Sequence, residues 1–295
     1  MGIVIEQVGP TLAARLTGLD LTKTLASHDI AAVDSGMDRY AVLVFPAQAL
    51  TDEQQMAFAS HFGQLEGNAG GNITKPGEHR LPPGMNDVSN LGQDGKPLAR
   101  DDRRRMFNLG NQLWHSDSSF RSTPAKYSIL SGRIVSETGG NTEFADMRAA
   151  YDALDERTKL EVEDLVCDHS LIYSRGTLGF DDLTEEERAA FRPVKQRLVR
   201  THPVTGRKSL FLSSHAGAIE GWPVPEARAF LRDLVEHATQ PQFVYVHRWR
   251  QYDLVMWDNR QTMHRVRRFD ADTVRDMRRT TVAGDGPTYQ EANAA

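Results

Sequence analysis

Only one cysteine, Cys167, occurs in 295 residues. That excludes an internal disulfide framework, a multi-cysteine zinc site and a cysteine-held iron–sulfur cluster, and leaves Cys167 as an ordinary core thiol. Basic residues are not in excess: 35 Lys and Arg face 40 Asp and Glu, for a net charge of -5. The broad cationic surface needed to bind a phosphate backbone is therefore missing, so nucleic acid is not expected as a partner. No stretch approaches 18 uninterrupted apolar residues, and the opening MGIVIEQVGP has neither the charged start nor the apolar run of a secretory signal. The expectation is a cytoplasmic protein with no membrane partner. No internal repeat is visible. What the chain does have is 39% hydrophobic residues, enough for one large core, and a single domain over 1–295 is expected.

The chain opens on two short alternating stretches, IVIEQV and ARLTGLDL, then a helical stretch near 28–39 and the apolar run AVLVFP, read as a buried strand. Thr51 and Gln54 in TDEQ form a capping box and predict a helix over TDEQQMAFASHF. Between about 63 and 100 the periodicity collapses into Gly, Pro, Asn and charge, predicting a long flap near a pocket. The mixed-sign run RDDRRR at 100–105 reads as a solvated face without a role. Strand-like NQLWHSDSSF, YSILSGRIV and GGNTEFADM follow, then helical DMRAAYDALDERTKLEVEDL, TEEERAAF and VPEARAFLRDLVEHAT. The last third returns to strands in QFVYVHRWR, DLVMWDN and MRRTTVAG, with a polar tail over 286–295 expected to fray. Strands on both sides of a helical block imply a mainly β fold with flanking helices, an antiparallel sandwich or barrel.

Candidate chemistry begins at His115-Ser116-Asp117. In a strand, side chains at i and i+2 share a face, so the imidazole and carboxylate can meet on one ion. Ten histidines and 40 acids predict roughly 1.4 such pairs by chance, and the sequence contains one, so the pair needs company. A second histidine would complete a 2-His-1-carboxylate set with three coordination positions open, as in non-haem Fe(II) oxygenases. His264 in WDNRQTMH supplies one, after a strand. Thr142 stands just past the Gly139-Gly140 turn, where its hydroxyl can bond a carboxylate. Arg275 and Arg279, four apart in a strand-like segment, share a face, and each can fork a carboxylate.

The order His-x-Asp, Gly-Gly-Asn-Thr, a distant His and Arg at +11 and +15 resembles the taurine dioxygenase group of Fe(II)/2-oxoglutarate-dependent dioxygenases. Within it, NQLWHSDSSF (111–120), TEFADMRAAYDAL (142–154), RTHPVTGRKSLF (200–211), EHATQPQFVYVHRW (236–249) and DLVMWDNRQTMHR (253–265) are similar to the aryloxyalkanoate branch. The resemblance implies a double-stranded β-helix, or jelly roll, with Fe(II), 2-oxoglutarate and O2 at its open mouth. It makes His115, Asp117 and His264 the iron ligands and catalytic centre, and puts Thr142 and Arg275 on the distal carboxylate of 2-oxoglutarate. It places Arg279 on the anionic group of a small organic substrate, and Lys96, His202 and His215 in the substrate pocket. The stretch 67–90 departs from the branch pattern, although Lys75 lies in it as a stand-in for a substrate-contacting lysine. The implied reaction hydroxylates the carbon next to the ether oxygen of an aryloxyacetate such as 2,4-dichlorophenoxyacetate, releasing a phenol and glyoxylate with succinate and CO2. The alternative is a taurine, alkylsulfonate or sulfate-ester dioxygenase with the same iron site; a metal- or anion-binding barrel without catalysis is the other class. Oligomeric state is left open, a homo-oligomer included.

Overall fold

The computed structural model describes residues 2–67, 73–75, 77–270 and 272–290. Its centre is a seven-stranded sheet ordered Val4–Gln7, Ala14–Thr17, Val42–Phe45, Leu254–Asp258, Tyr127–Ile134, Asp276–Val282 and Asn86–Asp87. A small sheet ordered Val244–His247, Thr142–Asp146 and Thr262–Val266 lies opposite it. All pairings within these two sheets are antiparallel except Ala14–Thr17 on Val42–Phe45.

The period of two in the strands explains the layering. In LVMWD, Leu254 and Met256 pack with Phe45 and Tyr127 against Val33 and Met37 of the helix Ser27–Tyr40 and Phe58 of the helix Asp52–Ser60. The alternate residues Val255 and Trp257 point the other way and meet Leu130, Met277 and Phe144, the last from the small sheet. The outer face of the small sheet, through Ala145 and Met263, packs on the helices Met147–Asp152 and Val224–Ala238. Central strands buried on both faces read as continuous apolar runs, which is why VLVF is buried throughout.

The capping box forms as expected: Thr51 Oγ1 accepts from the Gln54 amide at 3.2 Å, and Gln54 Oε1 accepts from the Thr51 amide at 2.8 Å. Three expectations change. NQLWHSDSSF is not a strand but a 3-10 turn, Leu109–Gln112, then a single bridge at His115, then a bend with Ser118 at φ 56°. The connection after Gly63 is not free of structure, because Asn86–Asp87 pairs with Arg278 and Arg279, and the Val88 amide bonds Met277 O at 3.0 Å. Part of the expected flap, residues 68–72 and 76, lies outside the described residues. RDDRRR is not only a solvated face either: Asp102 caps the helix Arg103–Asn108, and Arg100 and Arg105 line the main cavity. Of the tail, Thr288 is held by Gln196 and by the Arg197 amide, while 291–295 lie outside the described residues. Among the described residues no helix is long and apolar enough to cross a membrane.

Candidate metal and anion site

His115, Asp117 and His264 are all buried, and one ligand atom from each falls within 4.8 Å of the others. The backbone explains the meeting. His264 lies in the strand Thr262–Val266, and His115 forms a two-way bridge to it, His115 N to His264 O at 3.0 Å and the reverse at 2.8 Å. Asp117 faces both rings, with Oδ1 3.9 Å from His115 Nε2 and Oδ2 3.7 Å from His264 Nε2.

Each side chain is oriented by its neighbours. Leu113 O lies 2.7 Å from His115 Nδ1, which leaves Nε2 toward the site. His264 has no such bond; it is fixed by rings, 4.7 Å from Trp257 and 4.2 Å from His115, centroid to centroid. Asp117 Oδ2 accepts from Ser128 Oγ at 2.7 Å, and Oδ1 accepts from Arg279 Nη1 at 2.5 Å. Asn259 locks the carboxylate's backbone by accepting from the Asp117 amide at 3.1 Å while donating to Ser128 Oγ at 3.0 Å. Burial acts to raise the Asp117 carboxyl, but Arg279, the two imidazoles and Ser128 outweigh it and hold it well below the usual range. Burial lowers both histidines, so they are neutral, as ligation requires. A buried set of two neutral nitrogens and one carboxylate fits a divalent iron with open positions.

The site forms the floor of a cavity of about 670 Å³. Arg275 and Arg279 both line it, with Thr142 and the apolar Leu130, Trp257 and Phe269. Arg275 is 4% exposed. Its guanidinium stacks on Phe269 at 4.9 Å and gives one bond, to Val88 O at 3.3 Å, and burial pulls it down to about 10. Arg279 by contrast has Asp117. Of the two, Arg275 is the one whose charge lacks a counter-ion among the described residues. Thr142 Oγ1 accepts from Trp249 Nε1 at 2.9 Å, so its own proton is available to an acceptor. The glycine turn before it is required by geometry: Gly139 and Gly140 have φ of 72° and 67°, and a β-carbon on Gly139 would lie 2.2 Å from Arg268 O.

Six sequence-predicted residues thus come together: His115, Asp117, His264, Thr142, Arg275 and Arg279. Three do not reach the cavity lining. Lys96 is exposed in the turn between Leu91 and Pro97. His202 is buried elsewhere, with Nε2 3.4 Å from Asp258 Oδ2 and Nδ1 accepting from the Thr205 amide. His215 stands one layer behind His115, ring centroids 6.2 Å apart, with Nδ1 on Ser174 Oγ at 2.8 Å. Lys75 is exposed. Sequence reasoning missed Ser128 and Asn259, which brace Asp117, and Arg100 and Arg105 at the cavity. Ser128 carried no distinguishing signal, since its strand YSILSGRI also contains Ser131 and Arg133.

A family model described as taurine catabolism dioxygenase TauD, TfdA family matches residues 5–281. The chain belongs to this family. The dioxygenase class and the jelly-roll core expected from the sequence therefore hold. The alpha-ketoglutarate-dependent 2,4-dichlorophenoxyacetate dioxygenase of Cupriavidus pinatubonensis is 46% identical over 97% of this chain and 99% of its own length. The (S)-phenoxypropionate/alpha-ketoglutarate-dioxygenase of Delftia acidovorans is 37% identical, covering 95% and 94%. The crystal structure of AAD-2 in complex with Mn(II) and N-oxalylglycine superposes with a TM-score of 0.96 at 65% identity, over 98% of this chain and 100% of that one.

Proposed function

We propose that this chain is an Fe(II)- and 2-oxoglutarate-dependent dioxygenase that hydroxylates the carbon beside the ether oxygen of aryloxyacetates such as 2,4-dichlorophenoxyacetate. The product hemiacetal collapses to a phenol and glyoxylate, with succinate and CO2 formed from 2-oxoglutarate and O2. It works as a single cytoplasmic domain on a small anionic substrate. The observation that carries this reading is a His-Asp-His triad beside a cavity that also holds a buried arginine with no counter-ion among the described residues.

Iron held by His115, Asp117 and His264 would supply O2 activation coupled to the decarboxylation of 2-oxoglutarate. Everything else is placement. Arg275 receives the distal carboxylate of 2-oxoglutarate in a fork, and Thr142 donates its hydroxyl proton to the same group. Trp249, bonded to Thr142, aims that hydroxyl. Arg279 holds the substrate carboxylate beside the triad; it already bonds Asp117 through Nη1, while its Nε is buried without an acceptor. Anchoring one end in this way fixes the reacting methylene, and a small displacement is expensive. Leu130, Trp257 and Phe269 give the aryl ring an apolar surface and keep water from the reacting carbon.

A panel of aryloxyacetates, 2-aryloxypropionates, taurine and alkyl sulfates, run with Fe(II) and ascorbate and scored by succinate, tests the proposal. Succinate and phenol formed in step on aryloxyacetates are expected. Turnover confined to sulfonates or sulfate esters would overturn the substrate assignment, and no 2-oxoglutarate-dependent O2 uptake on any compound would overturn the catalytic one.

A further inference from the structure

Behind the cavity wall lies a second buried guanidinium that this chemistry does not use. Arg175, at the end of the helix Leu171–Gly176, is 4% exposed, and burial without any offsetting charge draws it down to about 10. Its Cζ lies 4.5 Å from the ring centre of Phe107. Nη1 donates to Ser174 Oγ at 3.3 Å, and Nε is buried with no acceptor. Gly110 packs against the guanidinium: a β-carbon there would sit 2.2 Å from Cζ and from Nη1. The Arg175 charge also acts on His115 and His215, lowering both imidazoles.

Gly110 belongs to the turn Leu109–Gln112. Asn108, Leu109, Asn111 and Gln112 line the cavity, and Gly110 alone of this stretch does not. In a 3-10 turn, residues three apart stack over one another, which lets 108 with 111 and 109 with 112 form one wall while Gly110 turns its bare α-carbon back. The wall therefore rests directly on the Arg175 side chain. A buried cation without an anion costs several kcal/mol, and an apolar side chain would fill the space at less cost. Stability does not account for an arginine here; a rigid planar group of fixed thickness under the wall does.

We propose that Arg175 is a positioning residue for the substrate: packed against Phe107 and Gly110, it sets the depth of the Asn108–Gln112 wall and so the place of the aryl ring relative to the triad. This rests on the reading of the cavity as the substrate site. The requirement for glycine at 110 is the other half of the same device.

The test compares Arg175→Met, Gly110→Ala and the double variant with wild type, using an aryloxyacetate that wild type turns over. Measured are substrate KM, phenol formed per succinate, the melting temperature, and the calorimetric Kd for substrate with Mn(II) and N-oxalylglycine bound. Each single variant is expected to raise KM and Kd about tenfold and to lower phenol per succinate. KM for 2-oxoglutarate should stay within about twofold in both single variants, since Arg275 is untouched, and Mn(II) affinity should do so in Gly110→Ala, which keeps the Arg175 charge that acts on His115 and His215. The double variant should be no worse than Arg175→Met, because a flexible Met gives way to the added methyl. Gly110→Ala carries the test should Arg175→Met fail to fold. Changes in melting temperature alone, effects of the singles that multiply in the double, or a loss of Mn(II) affinity in Gly110→Ala would each overturn the proposal. Should wild type accept no aryloxyacetate, the reading of the cavity fails by itself, before any variant is compared.

Discussion

Replacing Arg275 by Met should move stability and binding in opposite directions. Arg275 is buried, has no acidic partner among the described residues, and its guanidinium gives only one bond, to Val88 O at 3.3 Å. An unpaired buried ion costs several kcal/mol, partly offset here by the stack on Phe269. Met is unbranched and uncharged and ends two atoms short of the terminal guanidinium nitrogens, so the variant without 2-oxoglutarate should be more stable by roughly 1–3 kcal/mol. At about 2 °C per kcal/mol for a chain of this size, that is a rise of about 2–6 °C in Tm. Binding pays the other way. Two charge-assisted hydrogen bonds to a carboxylate, at about 1.5–3 kcal/mol each, amount to about 3–6 kcal/mol, or roughly 100-fold to 10,000-fold in Kd. Wild type with 2-oxoglutarate at 100 times Kd gains about 2.7 kcal/mol, and the variant should gain almost none at that concentration. Thermal melts with Mn(II), with and without 2-oxoglutarate, read both effects in one experiment. A variant that melts below wild type without ligand, or that keeps the full ligand-dependent rise, refutes the reasoning.

Asn259→Ala removes the acceptor for the Asp117 amide and a donor to Ser128, and should weaken Fe(II) or Mn(II) binding about 10-fold to 100-fold by titration, with the fold intact by circular dichroism. Asp258 is fully buried and bonded by Arg260, at 2.9 and 2.8 Å, and by Gln261, at 2.7 Å, so Asp258→Asn should cost about 3–5 kcal/mol in urea unfolding at pH 7. Burial acts to raise that carboxyl, but Arg260 and His202 hold it well below its ordinary 3.8. A depressed folded value gives stability that is present above 3.8 and lost as pH falls below it, so the variant should show a shallower acid limb there. His169 is buried with both ring nitrogens unpartnered, and burial lowers it from 6.5 to about 3. Its contribution is whole above pH 6.5 and is lost at up to about 1.4 kcal/mol per pH unit as pH falls toward 3. Chemical denaturation of His169→Leu between pH 7 and 5 should accordingly show a flatter slope than wild type. An unchanged slope would mean that His169 is solvated or paired. His202→Ala should lower Tm through loss of its contact with Asp258 and leave substrate KM alone, whereas a change in KM with no change in Tm would return it to the pocket.

The elements of the sandwich were legible where local and tertiary preferences agree. LVMWD and VLVF carry apolar residues on both faces and become central strands. TDEQ carries its own cap. Legibility ended where the chain is held by distant partners instead of its own pattern. Asn86–Asp87 has no apolar alternation and exists because Arg278 and Arg279 offer a free edge, with Arg80 bridging Asp87 at 2.8 Å and Asp276 at 2.7 Å. NQLWHSDSSF alternates like a strand, yet the His115 bridge, the Ser118 bend and the amide bond to Asn259 override it.

The site residues were found for a reason that did not require the local structure to be right. His115 and Asp117 were expected to converge because a strand puts i and i+2 on one face; they converge with His115 in a lone bridge to His264 and the Asp117 amide held by Asn259. A motif of this kind specifies which atoms must meet and leaves the backbone several ways to achieve it. Charge behaves differently, because its meaning depends on what lies opposite. The RDDRRR run was read as a solvated face since nothing local distinguishes Arg105 from Arg104. Once folded, Arg104 turns to Asp102 at 3.0 Å, while Arg105 reaches the cavity and its nearest acid, Asp272, is 4.0 Å away. Arg275 and Arg175 follow the same rule, since each is informative only because the fold supplies no acid. For Arg275 and Arg175 the function is thus written in the carboxylates missing around them among the described residues, and adjacent residues cannot display that.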